Sequence, residues 1–250
     1  MTGLKTKILN ELSRQWHYYR LPLEKSHPLT LSELRRFGLD RTSQYIYCDY
    51  YFRHFLPAEV KKHRQYFIQD QRGFGEDAFH AMWFLLLQEL KPKRALEIGV
   101  YRGQTITLWK LISRILQFEC SVSCISPFSS AGDSVSNYKN EIDYFEDTKK
   151  NHLYFNLPMP EVCRCFSTDP QAVEFIKSKK WDLIYIDGNH EYETVKKDWQ
   201  VCSESVEKGG IIVLDDSALY TDYKPPRFAT AGHPGPSRLA NEIPKDKFIE

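Results

Sequence analysis

The sequence predicts a doubly wound α/β fold with a mostly parallel, Rossmann-like sheet, preceded by a helical N-terminal extension. Two observations carry that prediction. Short apolar runs recur through the second half of the chain, separated by segments of about 10–15 residues with apolar positions at helical spacing. Acidic residues and glycines then cluster just after three of those runs, where an open parallel sheet binds its ligands.

The elements follow in order. Thr30-Leu31-Ser32-Glu33 fits a capping box and Gly38 is a stop signal, so residues 31–37 are expected as a short helix. Pro57 suits the first position of a helix reaching about Gln69. Between them, Tyr50, Tyr51, Phe52 and Phe55 either pack onto the main domain or form a lid or substrate wall. Gln71 to Gly75 reads as a loop. Glu76 then opens a helix to Leu90, with Phe79, Met82, Trp83, Leu86 and Leu90 on one face, and Lys91-Pro92-Lys93 ends it.

Strands and helices alternate from there. Residues 94–98 read as a strand, 105–117 as a helix and 120–126 as a strand. Residues 127–150 form a polar loop with a helix toward its end, 161–166 a strand and 170–179 a helix. Trp181 to Ile186 is apolar enough for burial on both faces. Glu191 to Lys208 keeps helical spacing through Tyr192, Val195, Trp199, Cys202 and Val206, with Gly209 as its closing glycine, and Ile211 to Leu214 is another buried strand. Beyond Asp216 the chain reads as loop, and Phe248-Ile249 hints at one more strand. The expected division is a helical cap or lid over residues 1–75 and a ligand-binding domain over 76–250.

Composition narrows the function. Of 250 residues, 42% are hydrophobic and 14% aromatic, enough for a core and an apolar pocket. The formal charge of +1, without a long run of one sign, argues against nucleic acid as the main partner. No stretch approaches the roughly 20 apolar residues of a membrane span, and Met1 to Arg20 lacks an apolar signal-peptide core. Cys48, Cys120, Cys124, Cys163, Cys165 and Cys202 form no C-x-x-C pair, so reduced, mostly buried thiols of a cytoplasmic protein are expected.

Three groups carry the chemistry. The first is Glu97 with Gly99 and Gly103. It is not the dinucleotide pattern G-x-G-x-x-G, because Tyr101 takes the place of the second glycine, but it lets backbone approach a ligand and aims helix N–H groups at it. The second is Asp187-Gly188-Asn189-His190, and the third Asp215-Asp216-Ser217. Asp187, Asp215 and Asp216 at adjacent strand ends repel one another unless a cation or hydrogen bonds compensate, and an oxygen-only set suits Mg²⁺, Mn²⁺ or Ca²⁺. The alternative is that Asp215 or Asp216 only caps the following turn. His190, three residues past Asp187, is placed to take a proton as a general base, or else to make a structural hydrogen bond. His17, His27, His54, His63, His80, His152 and His233 are expected to be structural or surface residues.

With these residues assembled, the chain resembles the class I S-adenosylmethionine-dependent methyltransferases. Within them it is most similar to the branch of macrolide-sugar O-methyltransferases and the cephalosporin-biosynthesis (cephalosporin hydroxylase-like) family. The resemblance rests on Leu96-Glu97-Ile98-Gly99-Val100-Tyr101-Arg102-Gly103, on Asp182 through Tyr192, and on Gly209 through Asp216, and spans about residues 75–220. It implies that Glu97, Gly99, Tyr101 and Gly103 line the methionine and ribose end of the cofactor, with Gln104 and Thr105 facing its carboxylate. It implies a divalent cation, Mg²⁺ or another, on Asp187, Asp215 and Asp216, with His190 as base and Asp187 as a catalytic and cofactor-side residue.

Two departures stand out. Ser126-Pro127-Phe128 replaces the usual acidic residue after the second strand, so ribose binding falls to Glu97, Ser126 or backbone. Ser167-Thr168-Asp169 replaces an acidic-Ser pair near the adenine, making Ser167 and Thr168 candidate contacts. The antiparallel strand pair that closes this fold is expected to be incomplete.

The implied function is methylation of a hydroxyl on a sugar or hydroxylated natural product by a cytoplasmic enzyme. The partner is a small-molecule or glycoside acceptor, and the aromatic N-terminal segment makes a homodimer plausible. The alternatives are a non-catalytic cofactor-binding or interaction module on the same fold and a nucleotide-dependent oxidoreductase.

Overall fold

The computed structural model describes residues 2–23, 26–130, 132 and 138–244. Five strands run parallel among them: β1 (Arg94–Ile98), β2 (Ser121–Ile125), β3 (Glu161–Cys163), β4 (Trp181–Ile186) and β5 (Val206–Leu214). Their order is β3-β2-β1-β4-β5, so the sequence-order reversal falls between β1 and β4, where such sheets open a crevice.

Alternation along the strands sorts side chains onto two covered faces. Ala95, Leu183 and Tyr185 face α5 (Asp77–Leu90) and α6 (Gln104–Ile115). There Trp83 stands edge-on to both Trp109 and Tyr185, with ring centroids 4.9 and 5.0 Å apart. Leu96, Ile98, Ile184 and Ile186 face α8 (Pro170–Lys177) and α9 (Tyr192–Ser205). Burial on both faces is why these strands read as continuous apolar runs.

The N-terminal part is helical: α1 (Thr2–Arg20), α2 (Leu31–Arg36), α3 (Arg41–His54) and α4 (Ala58–Ile68). The capping box forms at Thr30 and Glu33 as the sequence predicts. Tyr47, Tyr51 and Phe52 of α3 are buried in the same core as α5. Pro57 is the N-cap of α4, not its first helical residue.

Four sequence expectations are corrected. The helix expected over 191–208 ends at Ser205, and Gly209 does not close it. Val206 already pairs with Trp181, while Ile211 pairs with Leu183, so Gly209 and Gly210 lie in a bulge of β5 where the register shifts. β3 stops at Cys163, short of residue 166, and α7 (Tyr144–Tyr154) runs past residue 150. The segment after Asp216 is not all loop, because α10 (Pro234–Glu242) packs with α9. The expected strand at Phe248-Ile249 lies outside the described residues. The six cysteines are free, and no helix among the described residues is long and apolar enough to cross a membrane.

The helical layer encloses histidines that must stay neutral. His80 Nδ1–H donates to the Glu76 carbonyl at 2.8 Å, leaving Nε2 to accept from His63 Nδ1–H at 3.1 Å. Burial pushes His80 down to about 3 and His152 to about 4, and holds His63 well below its usual range. The unfolded chain therefore binds more protons below pH 6.5, so stability is present above that value and is lost as pH falls. At pH 5 His80 alone accounts for about 2 kcal/mol of lost stability. Thermal melting should drop clearly between pH 7 and pH 5, and a flat profile would contradict the neutral assignment.

Candidate active site

The carboxyl ends of the central strands are held in step by main chain. Gly99 N–H donates to Ile125 O, Asp187 N–H to Ile98 O and Asp215 N–H to Ile186 O, at 2.9, 2.8 and 3.0 Å. Glycine, carboxylate and carboxylate thus continue the ladder one residue beyond β2–β1–β4–β5. The turns touch. Gly99 has φ +88°, and a Cβ built there would overlap the Asp187 carbonyl.

Glu97 shares the face of Ala95 and is 3% exposed. Burial pushes its carboxyl up to about 8, against hydrogen bonds from the Thr105 side chain and the Ile106 N–H, and the Asp215 charge adds to the rise. Its Oε2 has no hydrogen-bond partner among the described residues. A buried carboxyl oxygen of this kind is open to a hydrogen bond from a bound ligand.

Asp187, Asp215 and Asp216 each offer an oxygen, all within 4.8 Å of one another. Burial, then the charges of Asp215, Glu97 and Asp216, push Asp187 well above the usual carboxylate range. Burial and Asp216 raise Asp215 as well. Three crowded oxygens with little solvent fit a hard cation. Tyr185 O–H donates to Asp215 Oδ2 at 2.6 Å and fixes that carboxylate.

His190 Nε2 lies 3.0 Å from Asp216 Oδ2, so the imidazole is oriented by a carboxylate. His233, expected to be structural or surface, has an acidic neighbour at the site. Its Nε2 lies 3.7 Å from the same oxygen, and its ring centroid is 4.4 Å from that of His190.

These groups line one cavity of about 850 Å³. Its walls are Leu31 and Leu34 of α2, Tyr45 and Cys48 of α3, and Phe79 and Met82 of α5. Glu97, Gly99, Tyr101, Gln104, Thr105, Asp187, His190, Asp215 and Asp216 all line it. Gln104 is held by the loop before α5, where its Oε1 accepts from Gly75 N–H at 2.8 Å.

Gly103, Ser126, Ser167 and Thr168 are not among the lining residues. Gly103, at φ +80°, is the N-cap of α6 against Thr148. Ser126 Oγ donates to Val100 O at 3.0 Å and accepts from Phe128 N–H at 3.1 Å. Ser167 bonds the buried Asp198 carboxylate, and Thr168 is exposed. Sequence reasoning missed His233 and Tyr185. Tyr185 carried a signal, being a polar-tipped residue in an apolar strand two residues before Asp187 and so on the same face, whereas His233 carried none.

A parallel sheet in this order, with a glycine turn after β1, an acidic residue near the end of β1 and others just after β4 and β5, is the Rossmann-like arrangement of a methyltransferase fold. Residues 96–217 match the family model described as a methyltransferase domain. A curated relative, an uncharacterized protein of Acanthamoeba polyphaga mimivirus, is 27% identical over 61% of this chain and 61% of its own length. A second, uncharacterized protein of Sinorhizobium fredii is 22% identical over 55% of this chain and only 14% of its own. The chain therefore spans less than two thirds of either relative.

Among solved structures, a Staphylococcus aureus protein provisionally assigned as a caffeoyl-CoA O-methyltransferase superposes with TM-score 0.51 at 15% identity, covering 71% of this chain and 74% of that one. A Bacillus cereus O-methyltransferase in complex with SAH gives 0.50 at 14%, covering 79% and 84%. Both share the fold.

Proposed function

We propose that the protein is an O-methyltransferase that uses S-adenosylmethionine and a divalent cation to methylate a hydroxyl of a sugar or hydroxylated natural product. One observation carries this reading. The orphaned Glu97 oxygen, the Asp187–Asp215–Asp216 cluster and His190 converge on a single cavity. The family match to residues 96–217 supports the cofactor class.

When bound, the cofactor supplies an activated methyl group and the cation supplies positive charge beside the acceptor hydroxyl. The remaining work falls to the chain's own groups. Glu97 Oε2 accepts from a donor on the methionine or ribose end of the cofactor, and Gly99 and Tyr101 line that end. Asp187, Asp215 and Asp216 hold the cation, with Asp215 oriented by Tyr185. His190, oriented by its contact with Asp216, is the group placed to take the acceptor proton. The helices of residues 1–75 act as a cap whose apolar wall holds the acceptor against that ring.

The test is transfer of a labelled methyl group to a panel of hydroxylated acceptors. Transfer should require Mg²⁺ or Mn²⁺ and be lost in EDTA and in Asp215→Asn. Undiminished transfer in EDTA would remove the cation from the reading, and methylation of amines but not hydroxyls would overturn the acceptor class.

A further inference from the structure

We propose that His190, Asp216 and His233 form a second cation site, separate in chemistry from the three-carboxylate cluster and suited to a borderline transition ion such as Zn²⁺ or Co²⁺. One ligand atom from each of the three lies within 4.8 Å of the other two. The two imidazole nitrogens stand 3.0 and 3.7 Å from the same Asp216 oxygen. Metal–ligand bonds of about 2.0–2.2 Å place neighbouring ligand atoms about 3–3.5 Å apart, so small side-chain movements would complete the site. Two imidazoles and a carboxylate favour Zn²⁺, Fe²⁺, Co²⁺ or Ni²⁺, whereas Asp187, Asp215 and Asp216 offer oxygen alone.

The ligands are brought together by backbone, not by chance rotamers. His233 N–H donates to Asp216 O at 2.8 Å, and Ser237 Oγ donates to the same carbonyl at 3.1 Å. Gly232, at φ +94°, lies so close under that carbonyl that any Cβ would overlap it. The loop after β5 therefore returns to its own start and delivers His233 to Asp216. All three side chains also line the cavity, and none is fully buried, so an ion can reach them.

A cation there uses the same His190 imidazole that the proposed reaction needs for the acceptor proton. Occupancy by Zn²⁺ would therefore oppose methyl transfer while Mg²⁺ on the carboxylates supports it. That consequence rests on the proposed function, but the binding itself does not.

The test is titration of Co²⁺ into the full chain, read by visible absorption in the presence of excess Mg²⁺, with Zn²⁺ as competitor. One Co²⁺ should bind with an imidazole–oxygen spectrum and be displaced by Zn²⁺. Loss of an outer partner alone costs about 10–100-fold in metal affinity, so His233→Ala and His190→Ala should each weaken binding by about a hundredfold or more. Asp187→Asn should leave Co²⁺ binding near wild type. Circular dichroism melts confirm that the variants fold, and a variant that fails to melt cooperatively is replaced by the glutamine substitution at the same position. No Co²⁺ binding, thiolate charge-transfer bands, or an affinity unchanged in His233→Ala would each overturn the site. The readout involves neither cofactor nor methyl transfer, so the two proposals fail separately.

Discussion

His190→Ala is expected to slow methyl transfer roughly 10²–10⁴-fold, the usual contribution of a positioned general base. S-adenosylhomocysteine binding should stay close to wild type. The reason lies in the geometry. His190 follows β4 and is oriented by Asp216, whereas the groups assigned to the cofactor's methionine end, Glu97 and Gly99, sit at the end of β1. Removing the ring deletes the proton acceptor without touching the β1 turn. A structural role would behave differently, lowering affinity and rate together. Single-turnover rates against pH separate the two, because loss of a base also removes the acid limb of the profile. A variant with full activity would remove His190 from the mechanism.

The second large effect is on the turn itself. Gly99→Ala is expected to cost about 2–5 kcal/mol of stability, adding overpacking of a close contact to a positive φ imposed on an L-residue. The added methyl would strike the Asp187 carbonyl, and the strands cannot part easily, because Gly99 N–H and Asp187 N–H are both locked into the ladder. Relief would move β1 away from β4 and carry Glu97 and Asp187 apart, so cofactor binding should fall as well. Gly188→Ala is the control. A Cβ there meets Ile98 Cγ2 at 3.7 Å, an ordinary contact, and its melting temperature should stay near wild type. Equal melting temperatures for the two variants would refute the argument.

The central sheet was legible because β1 and β4 are covered on both faces, which leaves short, largely apolar runs with a carboxylate at or just past the end. The glycine turn was legible because backbone packed on backbone admits no side chain. What failed to read did so for identifiable reasons. Leu4, Ile8, Leu12 and Trp16 of α1 recur at four-residue spacing, the pattern of a buried helix face, yet all four are exposed. Val206 continues the spacing of α9 but belongs to β5, since a buried end of helix and a start of strand look alike in a short apolar run. Pro234 opens α10, and a proline at a first helical position is easily taken for a breaker. His233 reaches Asp216 through a loop whose only pattern is prolines and glycines. Its place depends on main-chain hydrogen bonds that leave no side-chain signature.

The residues expected around the cofactor show the same limit. Glu97, Tyr101 and Thr105 come to the cavity because they sit at a strand end and a helix start. The Ser126 hydroxyl instead closes its own turn, and Ser167 turns to Asp198, contacts set by neighbours far along the chain.

The most direct test is calorimetric titration of S-adenosylhomocysteine into the purified protein, with Mg²⁺ and again with EDTA. The account predicts one-to-one binding in Mg²⁺, with Glu97→Ala and Gly99→Ala both weakened. Absence of binding in either buffer, by a protein that melts cooperatively, would contradict it.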